Sequence, residues 1–185
     1  MPVRKTIVLF AAILTIAACS GSGGELQAIV EEGGETNGFG NFRTGTDKSF
    51  GVFICVDGGS ATIESVEAMH SEGEIEYLGA VVYTSEDMFV GAADGFPPDG
   101  IDETKIEPAE GAVVSADCST GEGEKVQLLV GAERTGSGGG VLDGFLVTSD
   151  TGELEIDLTV LLCGDELEYC EALTPAEGTT TTTGP

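Results

Sequence analysis

The sequence predicts an all-β fold, an antiparallel β-sandwich. Three observations carry this. Beyond residue 24 the chain divides into short apolar or alternating runs, each bounded by turn-forming residues. The junctions are rich in glycine, of which the chain has 29. No long window outside the N-terminal segment repeats its apolar residues with a helical period.

The elements follow in order. Residues 25–30 form a first strand, with Leu26, Ala28 and Val30 on one face. Residues 31–48 are rich in Gly, Thr, Asn and Glu and read as a long loop. The run 50–56 is mostly apolar and reads as a central strand buried on both faces, closed by Asp57-Gly58-Gly59 as a turn. Residues 61–69 form the next strand; Ile63 and Val66 break strict alternation, which places a bulge near Ser65. Residues 74–84 form a long strand in which Ile75, Tyr77, Val81 and Tyr83 share one parity. Residues 88–92 read as a short continuation. Residues 93–104 hold Pro97-Pro98, Asp94-Gly95 and Asp99-Gly100, and read as a loop.

Residues 113–118 are a short strand. Residues 125–132 alternate, with Val126, Leu128 and Val130 inward, and 136–140 is a glycine turn. Residues 141–148 and 153–163 form a hairpin across 149–152. Its second strand has the clearest pattern: Leu154, Ile156, Leu158, Val160 and Leu162 face one way, and Glu153, Glu155 and Asp157 the other. Seven to nine such strands at regular spacing indicate immunoglobulin-like architecture, with a β-barrel or jelly roll as the alternative. The chain has no Trp, so the likeness is one of architecture only. Residues 25–173 are expected to form one domain. Residues 174–185, with five consecutive threonines, are expected to be a disordered tail.

Residues 1–18 read as a targeting segment. Arg4 and Lys5 precede an uncharged run from Ile7 to Ala18, too short to span ~30 Å of hydrocarbon but suited to a signal peptide. The run ends in Ile16-Ala17-Ala18-Cys19, which resembles the lipobox of bacterial lipoproteins. The resemblance implies cleavage before Cys19 and a lipid on its sulfur, with 19–24 as lipidated Cys and flexible tether. Two acyl chains would hold the membrane stably, at ~0.8 kcal/mol per buried CH₂. The strand Phe50-Gly51-Val52-Phe53-Ile54-Cys55-Val56-Asp57 and the ending Val160-Leu161-Leu162-Cys163 also resemble uncharacterised actinobacterial cell-envelope lipoproteins. That resemblance implies location and architecture, and no activity.

Charge excludes whole classes of partner. The chain carries 33 Asp+Glu against 7 Lys+Arg, a net charge of −26. Loss of 18 residues would leave 167, and loss of Arg4 and Lys5 would move the charge to −28. Nucleic acid is an unsuitable partner for such a surface. The acyl group is therefore the expected membrane contact, since no basic patch remains to hold anionic lipid.

Besides Cys19 the chain has Cys55, Cys118, Cys163 and Cys170, an even number that suits two disulfides in an exported protein. The preferred pairing is Cys55–Cys118 as a clasp between sheets, with Cys163–Cys170 stapling the last strand to the tail. Cys55–Cys163 with Cys118–Cys170 is the alternative. No paired C-x₂-C spacing supports a zinc site.

The chemical motifs are few, and none implies a cofactor. Asp150-Thr151-Gly152 is the tripeptide of aspartic proteases, but it occurs once and falls at a hairpin turn. His70, the sole histidine, has Glu67, Glu72 and Glu74 nearby and reads as an exposed turn residue. Gly136-Ser137-Gly138-Gly139-Gly140 lacks the Lys-Ser/Thr of a phosphate loop. Asp94, Asp99, Asp102 and Glu103 place four carboxylates in ten residues, a set of oxygens that Ca²⁺ could use, though without the EF-hand spacing. The first expectation is thus a non-enzymatic lipid-anchored extracytoplasmic domain that binds an unidentified ligand or serves a structural role. The second is a Ca²⁺-binding lipoprotein using the 94–103 loop.

Overall fold

A computed structural model of the chain describes residues 23–29, 35–39, 44–85, 91–119 and 125–164. These form eleven strands: β1 (Glu25–Ile29), β2 (Glu35–Phe39), β3 (Asp47–Asp57), β4 (Ala61–Gly73), β5 (Ile75–Ser85), β6 (Ala92–Asp94), β7 (Ile106–Pro108), β8 (Val113–Val114), β9 (Lys125–Arg134), β10 (Gly139–Ser149) and β11 (Gly152–Cys163). A single 3₁₀ turn, Glu103–Lys105, is the only helical element among the described residues.

The strands make two open sheets. The first runs β1-β3-β9-β5-β7, with β6 also on β3; the second runs β2-β11-β10-β4-β8. All strand pairs are antiparallel except β2, which lies parallel to β11. The architecture is a β-sandwich and not a barrel.

Alternating apolar residues build the core between the sheets. Phe50, Val52, Ile54 and Val56 of β3 and Val126, Leu128, Val130 and Ala132 of β9 face Leu142, Phe145 and Val147 of β10 and Ile156, Leu158, Val160 and Leu162 of β11. All are buried. Each large side chain so removed from water contributes roughly 1.5–3 kcal/mol before entropy is counted. The pattern expected for the last strand holds: Ile156, Leu158, Val160 and Leu162 are buried and Glu153, Glu155 and Asp157 exposed.

The departures have local causes. In β5 the register against β9 shifts between Tyr77 and Gly79, where Gly79 has φ +114°. The expected parity therefore breaks at this bulge. Ile75 and Tyr77 join Ala80 and Val82 at the main core, whereas Val81 and Tyr83 pack with Leu129 on the opposite face. In β4 the register skips Glu64, placing a bulge beside Ser65 as expected. That strand continues to Gly73, so His70 lies within a strand and not in a turn. The 31–48 loop contains β2 and the start of β3. β2 has no apolar alternation; its pairing to Leu158–Leu162 of β11 is made by backbone bonds. The expected 113–118 strand shortens to β8 followed by an isolated bridge between Val56 and Asp117. Residues 88–90 of the expected continuation, and 165–185, lie outside the described residues.

Tyr77 ties the two sheets by a polar bond. The Tyr77 hydroxyl donates to the Val66 carbonyl at 3.1 Å, and its ring lies 5.8 Å from that of Phe145. Burial, with Glu67 beside it, pushes this hydroxyl up to about 12. A folded pKa above the unfolded value gives stability that is full below the unfolded pKa and lost as pH rises through the folded one. Tyr77→Phe is thus expected to cost about 1 kcal/mol at neutral pH. It should also flatten the alkaline fall in stability toward pH ~12, as read from urea midpoints across that range.

Candidate functional site

The pole where the described chain begins is the first candidate. Gly24 N–H donates to Ser60 O at 3.3 Å, and a Cβ on Gly24 would stand 1.7 Å from Gly58 O, so only glycine fits. Gly23 lies against Thr151. A shallow cleft of about 230 Å³ separates Gly23–Leu26 from the β10–β11 turn, with Glu25 and Glu153 at its rim. Cys19 lies four residues before Gly23, outside the described residues.

The Asp150-Thr151-Gly152 motif is the turn of that hairpin. Asp150 Oδ1 accepts from Thr62 N–H at 2.7 Å, and its own N–H donates to Thr62 O at 3.0 Å. Ser149 Oγ donates to Gly152 O at 2.9 Å. The carboxylate thus locks the turn onto β4 and is not one of a proton-sharing pair.

The 94–103 segment has a structural task. β6 pairs with Lys48–Phe50 of β3. Ser49 Oγ donates to Gly95 O at 2.6 Å, and Phe96 N–H donates to Asp47 Oδ2 at 2.7 Å. The Phe96 ring lies on Gly131, where a Cβ would come within 2.4 Å of it. Ala93, Ile101 and Ile106 pack on Tyr83 and Leu129. The segment therefore covers the outer face of the first sheet.

Its four carboxylates do not converge. Asp94 forms an ion pair with the buried Lys48. Burial pulls the Lys48 ammonium below the ordinary lysine range, while Asp47 pulls the other way. Asp102 caps the 3₁₀ turn, accepting from Thr104 N–H at 3.0 Å and Thr104 Oγ1 at 2.7 Å. These bonds hold its carboxyl below the usual range. Asp99 and Glu103 are exposed. Among the described residues no three His, Cys, Asp or Glu side chains are placed to hold one metal ion.

The remaining motifs resolve similarly. His70 is exposed, with Nε2 3.8 Å from Glu72 Oε2. In the glycine bend, Gly138 N–H donates to Glu74 Oε2, so a carboxylate occupies the place a phosphate would need. Cys55 and Cys118 form a disulfide with Cα atoms 5.1 Å apart. It does not clasp facing strands. Cys118 follows the bridge at Asp117 and lies beside β3 itself, its N–H donating to Val56 O at 3.1 Å. Cys163, buried at the end of β11, is also disulfide-bonded; Cys170 lies outside the described residues.

Sequence reasoning missed the buried polar groups. Arg134 is 1% exposed, and its Nη1 donates to Cys163 O at 3.0 Å while Nη2 donates to Thr44 Oγ1 at 3.3 Å. Gln127 is equally buried, and neither amide atom has a hydrogen-bond partner. Both sit on β9, whose outer parity is apolar at Leu129; that double burial was the available signal.

The disulfide spans 63 residues of sequence. Cys55→Ala with Cys118→Ala is expected to cost about 4 kcal/mol in urea unfolding, chiefly by freeing the unfolded chain. With Asp94 and Asp102 already engaged, Ca²⁺ added to EGTA-treated protein is expected to leave Tm unchanged. A saturable rise abolished by Asp102→Asn and Glu103→Gln would place the cation on this loop. Comparison with protein-family models and with curated proteins found no match.

Proposed function

We propose that the chain is a lipid-anchored, extracytoplasmic β-domain of the cell envelope, acylated on Cys19 and acting as a non-enzymatic binding or structural module. The observation that carries this reading is Ile16-Ala17-Ala18-Cys19, placed after a basic and then an apolar segment and just before a glycine-rich tether. The fold is compatible with it. Gly23 and Gly24 enter the sandwich at one pole, packed against the Thr151 turn, so a lipid on Cys19 would hold that pole next to the bilayer. β11 runs away from this pole for twelve residues, about 40 Å.

The non-enzymatic part of the reading rests on what the reactive groups do. Asp150 locks a turn, Asp102 caps a turn, Asp94 neutralises Lys48, and Glu74 closes the glycine bend. Each has a structural partner. A Ca²⁺-dependent role gains no support from the placement of the loop carboxylates.

Labelled palmitate is the direct test. The intact chain should incorporate the label and fractionate with membranes, and Cys19→Ser should abolish both. A chain that stays unlabelled, or a labelled Cys19→Ser variant, would exclude the anchor.

A further inference from the structure

The second sheet ends in an edge strand that is long and largely bare. β8 pairs with β4 only at Ala61 and Thr62, and Ile63 bonds to Gly111 and Ala112. From Glu64 to Gly73, β4 has β10 on one side and, among the described residues, no strand on the other. The Tyr77 hydroxyl takes the Val66 carbonyl, which leaves 67–73 as the open stretch. Every residue from Met69 to Gly73 is exposed, as is Glu67. An unpaired edge presents backbone donors and acceptors to any further strand that reaches it.

Charge decides which strand can do so. Glu67, Glu72 and, across the turn, Glu76 are exposed, and exposed Asp143 lies in register with His70. The described strands of this sheet contain no Lys or Arg. A second copy of β4 laid along the first would set acid against acid, which disfavours self-pairing. A basic extended segment would meet opposite charge along the same length, and Met69, half exposed, offers it an apolar contact.

We propose that the β4 edge at 67–73 accepts a basic, extended peptide segment of a partner protein by strand addition. Backbone bonds supply the pairing; Glu67 and Glu72 differ in parity and stand on opposite faces of β4, so Lys or Arg on each face of the added strand meets one of them. The stretch ends where Gly73 pairs with Gly140, at the pole opposite Gly23. The inference rests on reading the domain as a binding module and is independent of its lipid anchor.

Hydrogen–deuterium exchange of the full chain in detergent tests this, using a short peptide of Lys-Lys-Thr repeats, which carries Lys on both faces, and its Glu-Glu-Thr counterpart. The Lys peptide should slow exchange in 67–73, and the Glu peptide should not. Glu67→Lys with Glu72→Lys, both at exposed positions, should weaken binding of the Lys peptide by about tenfold or more. Unchanged exchange elsewhere in the variant would show that its fold is intact. Absence of protection in 67–73, or equal binding by the charge-reversed variant, would overturn the edge proposal. Protection on a different strand would also overturn it while leaving the module reading in place. Neither outcome bears on palmitate incorporation, which tests the anchor separately.

Discussion

The fold depends on one constraint: the central strands of the first sheet are buried on both faces. β3 and β9 lie at its centre, and both are buried along nearly their whole length. An antiparallel sheet with one wet face needs a single partner layer, but this one needs two. The second sheet covers the inner face. The 91–106 excursion covers the outer face, with Phe96 seated on Gly131 and Ile101 and Ile106 on Leu129 and Tyr83. The acidic loop that looks like a cation site in sequence is therefore a lid on the fold. Carboxylates fasten it: Asp47 of β3 accepts from the Phe96 amide, and within the loop Asp94 meets Lys48 and Asp102 caps the following turn. The same double burial places Gln127 beneath cover without a partner, at a cost of roughly 1–3 kcal/mol by the usual desolvation penalty.

How much of this was legible varied with local chemistry. β11 was readable throughout because one face is charged and the other aliphatic, so a period of two stands out. β3 was readable as doubly buried for the opposite reason, an apolar run with few polar residues. β5 was misread past Leu78 because a bulge at Gly79 inverts the faces, and a bulge leaves only a glycine as its sign. β2 was invisible because its sequence, ETNGF, carries no alternation and it exists through parallel pairing with a strand far along the chain. Among the site residues, the Cys55–Cys118 pair was legible as a pairing. Its setting was not, because Cys118 lies beside β3 after an isolated bridge and not on a facing strand.

The charge excess is also sorted by the fold. Of the described cations, Lys48 and Arg134 are buried and serve internal bonds, so they do little to offset the acidic surface. The exposed acids of β4, β10 and β11 share the second sheet with no described cation. Net charge of this size keeps a domain soluble and repels anionic surfaces, with a range set by the Debye length, about 8 Å at physiological salt.

These two features fix an orientation on the lipid-anchored reading. The tether enters beside the Asp57–Ser60 and Asp150–Thr151 turns, so the pole nearest the bilayer is itself acidic. An anionic membrane would push that pole outward against the short tether, within a Debye length of the surface. β4 and β11 both run from this pole to the other, so the rigid sheet carries the bare end of β4 as far from the bilayer as the domain allows. On that reading the acyl group would supply attachment and the acids stand-off. The long edge of β4 that has no partner strand among the described residues would then lie where an envelope partner, and not the membrane, could reach it.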